Sequence, residues 1–226
     1  MKLRYFFLVL FTSASWAQTI DSTKATPYLE DQIYLGLSYI NLVSNADAVN
    51  ANGFSNSLTF GFIKDFPFTL RGNLAMGVGL GYGRNTYYQN IKLQEIGGAT
   101  TFETVADASE FKNNKFSAHL VELPIEFRWR TSTYDKYKFW RIYTGLKFGY
   151  VFASNAKFKG TSETINSKGI SAMNNFQYGA TFSAGYGTWT FNFYYGLSKL
   201  FKNAQLPDTD PLNLTDFRLG LIFYIL

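Results

Sequence analysis

Between Leu120 and Tyr150 the chain switches, residue by residue, between two kinds of side chain. Its first half reads Leu120-Val121-Glu122-Leu123-Pro124-Ile125-Glu126-Phe127-Arg128-Trp129-Arg130. Its second half reads Phe139-Trp140-Arg141-Ile142-Tyr143-Thr144-Gly145-Leu146-Lys147-Phe148-Gly149-Tyr150. A period of two marks a β-strand, whose successive side chains point to opposite faces. The polar stretch Thr131 to Lys138 makes the pair an antiparallel hairpin. One face carries Val121, Leu123, Ile125, Phe127 and Trp129, then Trp140, Ile142, Leu146, Phe148 and Tyr150. The other carries Glu122, Glu126, Arg128 and Arg130, then Arg141, Tyr143, Gly145, Lys147 and Gly149.

Glycine weakens a strand unless something approaches its backbone closely, so a face that mixes charge with glycine is not an ordinary solvated face. A small transmembrane barrel accounts for both sides. Lipid takes the aromatic face, and a narrow interior takes small residues and paired charges. Aromatic residues make up 19% of the 226-residue chain, with 23 Phe and 16 Tyr. That exceeds what a soluble core of this size needs and fits aromatic girdles on a barrel exterior.

The start of the chain reads as a secretory signal. Lys2 and Arg4 give a positive segment, Tyr5 to Phe11 an apolar one, and Ser15-Trp16-Ala17 small residues for cleavage after Ala17. The apolar run is too short for the ~20 residues a spanning helix needs. Without residues 1–17 the chain carries 19 basic against 16 acidic side chains, too mild an excess to argue for nucleic acid. There is no Cys for a disulfide or thiolate metal site. Residues 18–31 are a polar periplasmic lead-in, and 32–226 the barrel.

Eight alternating segments follow: 32–42, 54–64, 74–87, 116–130, 139–152, 174–185, 188–200 and 214–226. The third alternates Leu74, Met76, Val78, Leu80 and Tyr82 with Ala75, Gly77, Gly79, Gly81 and Gly83. A dinucleotide-binding fingerprint would place such glycines in a strand-to-helix turn. Here they occupy every second residue of a strand, which makes them a bare wall leaving room for long charged residues on neighbouring strands. The connections alternate long and short (43–53, 65–73, 88–115, 131–138, 153–173, 186–187, 201–213), as outer-membrane barrels do, with short periplasmic turns and longer external loops. The expected fold is therefore all-β: an eight-stranded, antiparallel, up-and-down transmembrane β-barrel.

An eight-stranded barrel is filled by its own side chains. The expected filling is a charge network of Glu122, Glu126, Arg128, Arg130, Arg141, Lys147, Asp216 and Arg218, with Arg128, Arg141, Lys147 and Arg218 set against Glu122, Glu126 and Asp216. Unpaired charge there would be costly, and the network reads as a plug in preference to a conduit. Trp129, Trp140, Phe148, Trp189, Phe191, Phe193 and Phe223 are expected on the lipid face. The single His, His119, stands two residues from Ser117 on that face without a visible acidic partner, so it reads as a girdle residue and not a catalyst. No metal site, cofactor or enzymatic chemistry is expected.

The last strand, Arg218-Leu219-Gly220-Leu221-Ile222-Phe223-Tyr224-Ile225, resembles the C-terminal signal read by barrel-assembly machinery, with Gly220, Phe223 and Ile225 at its defining positions. The run Leu123-Pro124-Ile125-Glu126-Phe127-Arg128-Trp129-Arg130, preceded by the glycine-rich strand and followed by Tyr143-Thr144-Gly145-Leu146-Lys147-Phe148-Gly149, resembles the PorT family of small outer-membrane barrels from Bacteroidetes. That family's named members are linked to type IX protein secretion and gliding motility. The resemblance spans about Gln32 to Leu226 and is architectural, so no functional residue carries over. It implies a non-enzymatic accessory or assembly subunit of a secretion machine, with the lipid bilayer, the barrel-assembly machinery and secretion subunits as partners. The alternatives are a stand-alone surface-binding or adhesion barrel using loops 88–115 and 153–173, and a narrow channel.

A barrel of this kind resists detergent until heated. The purified chain should run on a denaturing gel at a different apparent mass before and after boiling, and a single unchanged band would count against the fold.

Overall fold

The computed structural model describes residues 31–46, 49–51, 53–105, 111–131, 138–161, 163–206 and 211–225. The proposed signal segment and nearly all of the lead-in lie outside these residues. Eleven strands are present among the described residues: β1 (Gln32–Ser44), β2 (Asn56–Pro67), β3 (Leu74–Tyr88), β4 (Ile91–Ile96), β5 (Ala99–Thr104), β6 (Phe111–Arg130), β7 (Trp140–Gly160), β8 (Thr164–Lys168), β9 (Phe176–Tyr186), β10 (Trp189–Gly196) and β11 (Leu214–Ile225). Eight of them form a closed antiparallel ring. β1 pairs with β2 and β11, β2 with β3, β3 with β6, β6 with β7, β7 with β9, β9 with β10 and β10 with β11. Closure leaves no open edge in the ring, the condition for a sheet to cross a membrane.

The strands run longer than the sequence pattern suggested at one end. β6 starts at Phe111 and not at 116, and β7 continues to Gly160 and not 152. The stretches read as polar loops, 88–115 and 153–173, hold the β4–β5 hairpin and β8, which pairs with the extended part of β7. Gly97 and Gly98 form the two-residue β4–β5 turn with φ of 60° and 84°, a left-handed conformation that glycine adopts without strain. These additions all sit at the end of the barrel with the longer connections, the long end. The opposite, short end has the tight connection after Tyr186.

Along β6 the even-numbered residues 114–130 point in and the odd-numbered ones out, throughout the strand. The chemistry of the two faces, however, inverts near Leu120. From Glu122 to Arg130 the inward side is mainly charged and the outward side apolar. From Lys115 to His119 the outward residues are polar, while inward Phe116, Ala118 and Leu120 are buried in an apolar core. β7 makes the same exchange with a β-bulge: Leu120 pairs with Val151 and His119 with Ala153, leaving Phe152 as the extra residue. Beyond the bulge Ala156 and Phe158 are buried, and Lys157 and Lys159 exposed. The core at the long end also gathers Ile91, Leu93 and Phe102 from the β4–β5 hairpin, Ile170 and Met173 after β8, and Leu200, Phe201, Leu206 and Leu212 between β10 and β11. Phe116 lies at its centre, with ring centroids 4.5 Å from Tyr87 and 5.1 Å from Phe201. The mouth of the barrel is thus closed by an apolar cap built from the long connections.

The glycine wall of β3 has a specific use. A Cβ on Gly77 would stand 2.5 Å from Arg128 Nε, one on Gly83 2.6 Å from Glu122 Oε1, and one on Gly81 would run into the Tyr34 hydroxyl and the Phe60 carbonyl. The missing side chains are the space occupied by charged side chains of β6 and by Tyr34 of β1, reaching across the lumen. Gly81→Val should therefore be destabilising, by about 1–3 kcal/mol on the scale of core overpacking, measured as a shift in the urea midpoint of the folded barrel in micelles.

Candidate functional site

The interior below the cap holds two ion clusters, stacked along the barrel axis. Near the short end Asp65 on β2 accepts from Arg128 Nη1 at 3.1 Å and from Arg130 Nη2 at 2.5 Å. Arg128 Nε also donates to Glu126 at 3.0 Å, and Tyr224 donates its hydroxyl to the other Glu126 oxygen at 3.3 Å. The Arg128 guanidinium lies 4.8 Å from the Tyr143 ring centroid and 5.5 Å from that of Tyr224. The Asp65, Arg128 and Arg130 side chains are fully buried.

Nearer the cap Arg218 Nε donates to Asp216 at 2.7 Å, and Arg218 Nη1 to Asn85 Oδ1 at 3.1 Å. Glu122 lies between two cations, 3.3 Å from Lys147 Nζ and 3.9 Å from Arg218 Nη1. Tyr87 donates to Asp216 at 3.1 Å, and Ser57 to Asn85 at 2.7 Å. The Tyr194 ring stacks against Arg218 with its centroid 4.2 Å away. All eight charged residues named from the sequence point inward, but seven of them form these two groups instead of one network, and Arg141 stands apart.

Two features differ from the sequence reading. Asp65 was assigned to a turn, but β2 continues to Pro67, and its register with β3, Asp65 opposite Gly77, carries the carboxylate into the lumen beside Arg128. Arg141 was set among the paired cations, yet among the described residues it reaches no carboxylate. It donates to the Gly187 carbonyl at 2.9 Å and stacks on Phe139 at 4.6 Å. It sits opposite Arg130, whose Asp65 partner is already shared with Arg128. The tyrosines that line the clusters, Tyr34, Tyr87, Tyr143, Tyr194 and Tyr224, occupy inward positions of their strands. Their signal in the sequence was an aromatic residue out of phase with the outward aromatic set.

On the outer wall Trp129, Trp140, Trp189, Phe191 and Phe193 are exposed, and Phe148 and Phe223 are half-buried. Phe148 stacks on Phe176 at 6.2 Å, and Phe223 meets Trp189 edge-on at 5.7 Å. Gly220 lies opposite Ser38 on β1, where a Cβ would collide with the Leu37 carbonyl, and Ile225 projects outward opposite Ile33. His119 Nδ1 lies 2.6 Å from the Tyr82 hydroxyl, with its ring beside Phe152.

The cap is tied together by polar contacts. Lys92 donates to Glu163 at 2.7 Å, a bond that raises the affinity of the ammonium for its proton. Burial pushes the Glu95 carboxyl up, but hydrogen bonds from Ser171 and Thr100 outweigh it and hold the group below its ordinary value.

A closed ring of eight antiparallel strands, apolar outside and charged within, defines an outer-membrane barrel. Residues 16–202 match the family described as outer membrane protein beta-barrel domain, and the chain belongs to that family. No curated protein matches it in sequence. Among solved structures it is similar to Ail, the attachment invasion locus protein of Yersinia pestis, at 12% identity and a TM-score of 0.36, covering 86% of this chain and 97% of that one. The same protein in complex with the heparin analogue sucrose octasulfate aligns at 14% identity and a TM-score of 0.37, covering 87% of this chain and 99% of that one.

The shared carboxylate makes the lower cluster the more sensitive of the two. Asp65→Asn leaves Arg128 and Arg130 short of negative charge in a dry lumen and should cost about 3–5 kcal/mol. Lys147→Gln should cost less, because Glu122 keeps Arg218 3.9 Å away. Urea unfolding of both variants in the same micelles measures the difference.

Proposed function

We propose that this chain is a non-conducting, non-enzymatic outer-membrane scaffold that presents a rigid surface to a partner protein. The observation that supports this most directly is the double closure of the barrel. Two buried ion clusters fill the lumen, and an apolar core built from the long connections lies across its mouth. A channel needs a continuous polar path, and the cap interrupts one. What the fold offers instead is a platform. β4–β5, the extended β6–β7 hairpin and β8 are latched to one another at the long end through Lys92–Glu163 and Glu95–Ser171.

In this reading residues 1–17 are removed on export, the N-terminus is periplasmic, the apolar outer wall faces lipid, and the long end is external. Barrel-assembly machinery reads Gly220, Phe223 and Ile225. The alternation of connection lengths supports the orientation. The resemblance to PorT at Leu123 to Arg130 favours a partner within a type IX secretion machine, the chain being an accessory or assembly subunit. The ordered cap favours a second reading, a stand-alone surface-binding or adhesion barrel.

Three measurements bear on this. Reconstituted in planar bilayers, the folded chain should show no stepwise conductance above background; reproducible channels would overturn the plug and cap as seals. Solubilised from native membranes in mild detergent, it should co-purify with envelope proteins at fixed stoichiometry, and purification alone would remove the subunit reading. Secretion of cargo in a deletion strain should fall if the machine role holds, and unchanged secretion with altered surface attachment would select the second reading.

A further inference from the structure

At the short end the last inward residues of the strands are dry. Gln32 on β1 and Arg130 on β6 are each 1% exposed, Phe139 just before β7 is 5% exposed and Arg141 6%. A charged side chain at the rim of an open ring would ordinarily be wet, and one that is fully buried is paired. Among the described residues the chain beyond them is Asp31, the turn 68–73, Thr131, Lys138 and the turn at Gly187, all continuations of strands around the rim.

The charge at this end is also incomplete. Arg128, Arg130 and Arg141 face inward there, and the described residues offer them two carboxylates, Asp65 and Glu126. Arg128 takes both, and Arg130 shares Asp65. Arg141 reaches neither, and its Nε is buried without a hydrogen-bond partner among the described residues. The upper cluster, in contrast, matches Lys147 and Arg218 with Glu122 and Asp216. One more carboxylate at the short end would balance the lumen.

The direction of Arg141 marks where that carboxylate belongs. The side chain turns away from the 131–138 connection of its own hairpin. It donates to the Gly187 carbonyl between β9 and β10 and brings its guanidinium 5.7 Å from the centroid of the Tyr224 ring on β11. Tyr224 pairs with Tyr34 on β1, and Tyr34 and Gln32 share the inward face of that strand. One more step of the same alternation, toward the N-terminus, reaches Glu30. The chain is already held at this point. Asp31 accepts from the backbone N–H of Asp65 at 2.9 Å, beside the carboxylate that Arg128 and Arg130 share.

We infer that the lead-in, residues 18–30, lies across the short-end opening of the barrel and that the Glu30 carboxylate is the missing counter-charge of Arg141. This seal adds to the plug and the cap, and the pairing holds whichever end of the barrel is periplasmic. Two measurements on the folded chain from Gln18 in micelles test it. The first is a double-mutant cycle read by urea unfolding. Glu30→Gln should lower the urea midpoint in the wild-type background and leave it nearly unchanged in the Arg141→Gln background. Equal drops in both backgrounds, or no drop in the wild type, overturn the pairing. If Asp135→Asn shows the coupling to Arg141 and Glu30→Gln does not, the occupant is the hairpin turn and the assignment falls. The second measurement reads cover without changing a charge in the lumen. With phenylglyoxal and mass spectrometry, Arg71 and Arg84, on exposed positions, should be modified while Arg141 stays protected. A chain starting at Asp31, its fold checked by heat-shifted migration, should lose protection at Arg141, while Arg218 below the cap keeps it. Arg141 still protected in that chain, or already modified in the longer one, overturns the cover. If the shortened chain does not fold, the cycle decides alone.

Discussion

A guanidinium in a dry lumen must find negative charge, and most of the lower barrel is arranged around that requirement. Arg128 is fully buried, and Asp65, Glu126 and two tyrosine rings surround it. The long side chains need room, which the glycines of β3 provide by having none of their own. Pairing also fixes register. A slip of one residue between β2 and β3 would turn Asp65 to the outer wall and remove the carboxylate that Arg128 and Arg130 share. The clusters therefore select one closed arrangement of the strands, a role that buried ion pairs fill better than that of adding net stability.

The second organising feature is the reversal of faces at Leu120 and Phe152. Below it the chain obeys the rule of a membrane protein, apolar outward; above it the rule of a water-soluble sheet, apolar inward. The strands do not break there. β6 keeps its alternation and exchanges only its chemistry, while β7 inserts one residue to keep its apolar side chains on the required face. One continuous hairpin thus belongs to two solvents.

The eight crossing segments were legible because each meets lipid on one side, and lipid imposes a clean period of two. The charged interior was legible for the same reason, by subtraction. The cap was not. Phe116, Ala118 and Leu120 alternate with Lys115, Ser117 and His119 as regularly as the residues below, but with opposite meaning, and alternation alone does not say which face is wet. Asp65 was missed because it sits next to Phe66 and Pro67, where the strand pattern fades into turn-like composition. Its role depends on the pairing register with β3, which no single segment reveals. The β4–β5 hairpin was missed because its apolar residues, Ile91, Leu93 and Phe102, are few and find their core only among other connections.

The cap also bears on how the molecule holds its place. Its core draws on three connections that are far apart in the chain, so it closes only once the ring has brought the ends of their strands together. Once assembled it is cross-latched through Lys92–Glu163 and Glu95–Ser171. It is wider than any single strand of the ring, so that drawing this end of the barrel through an apolar layer would first require the apolar core to come apart.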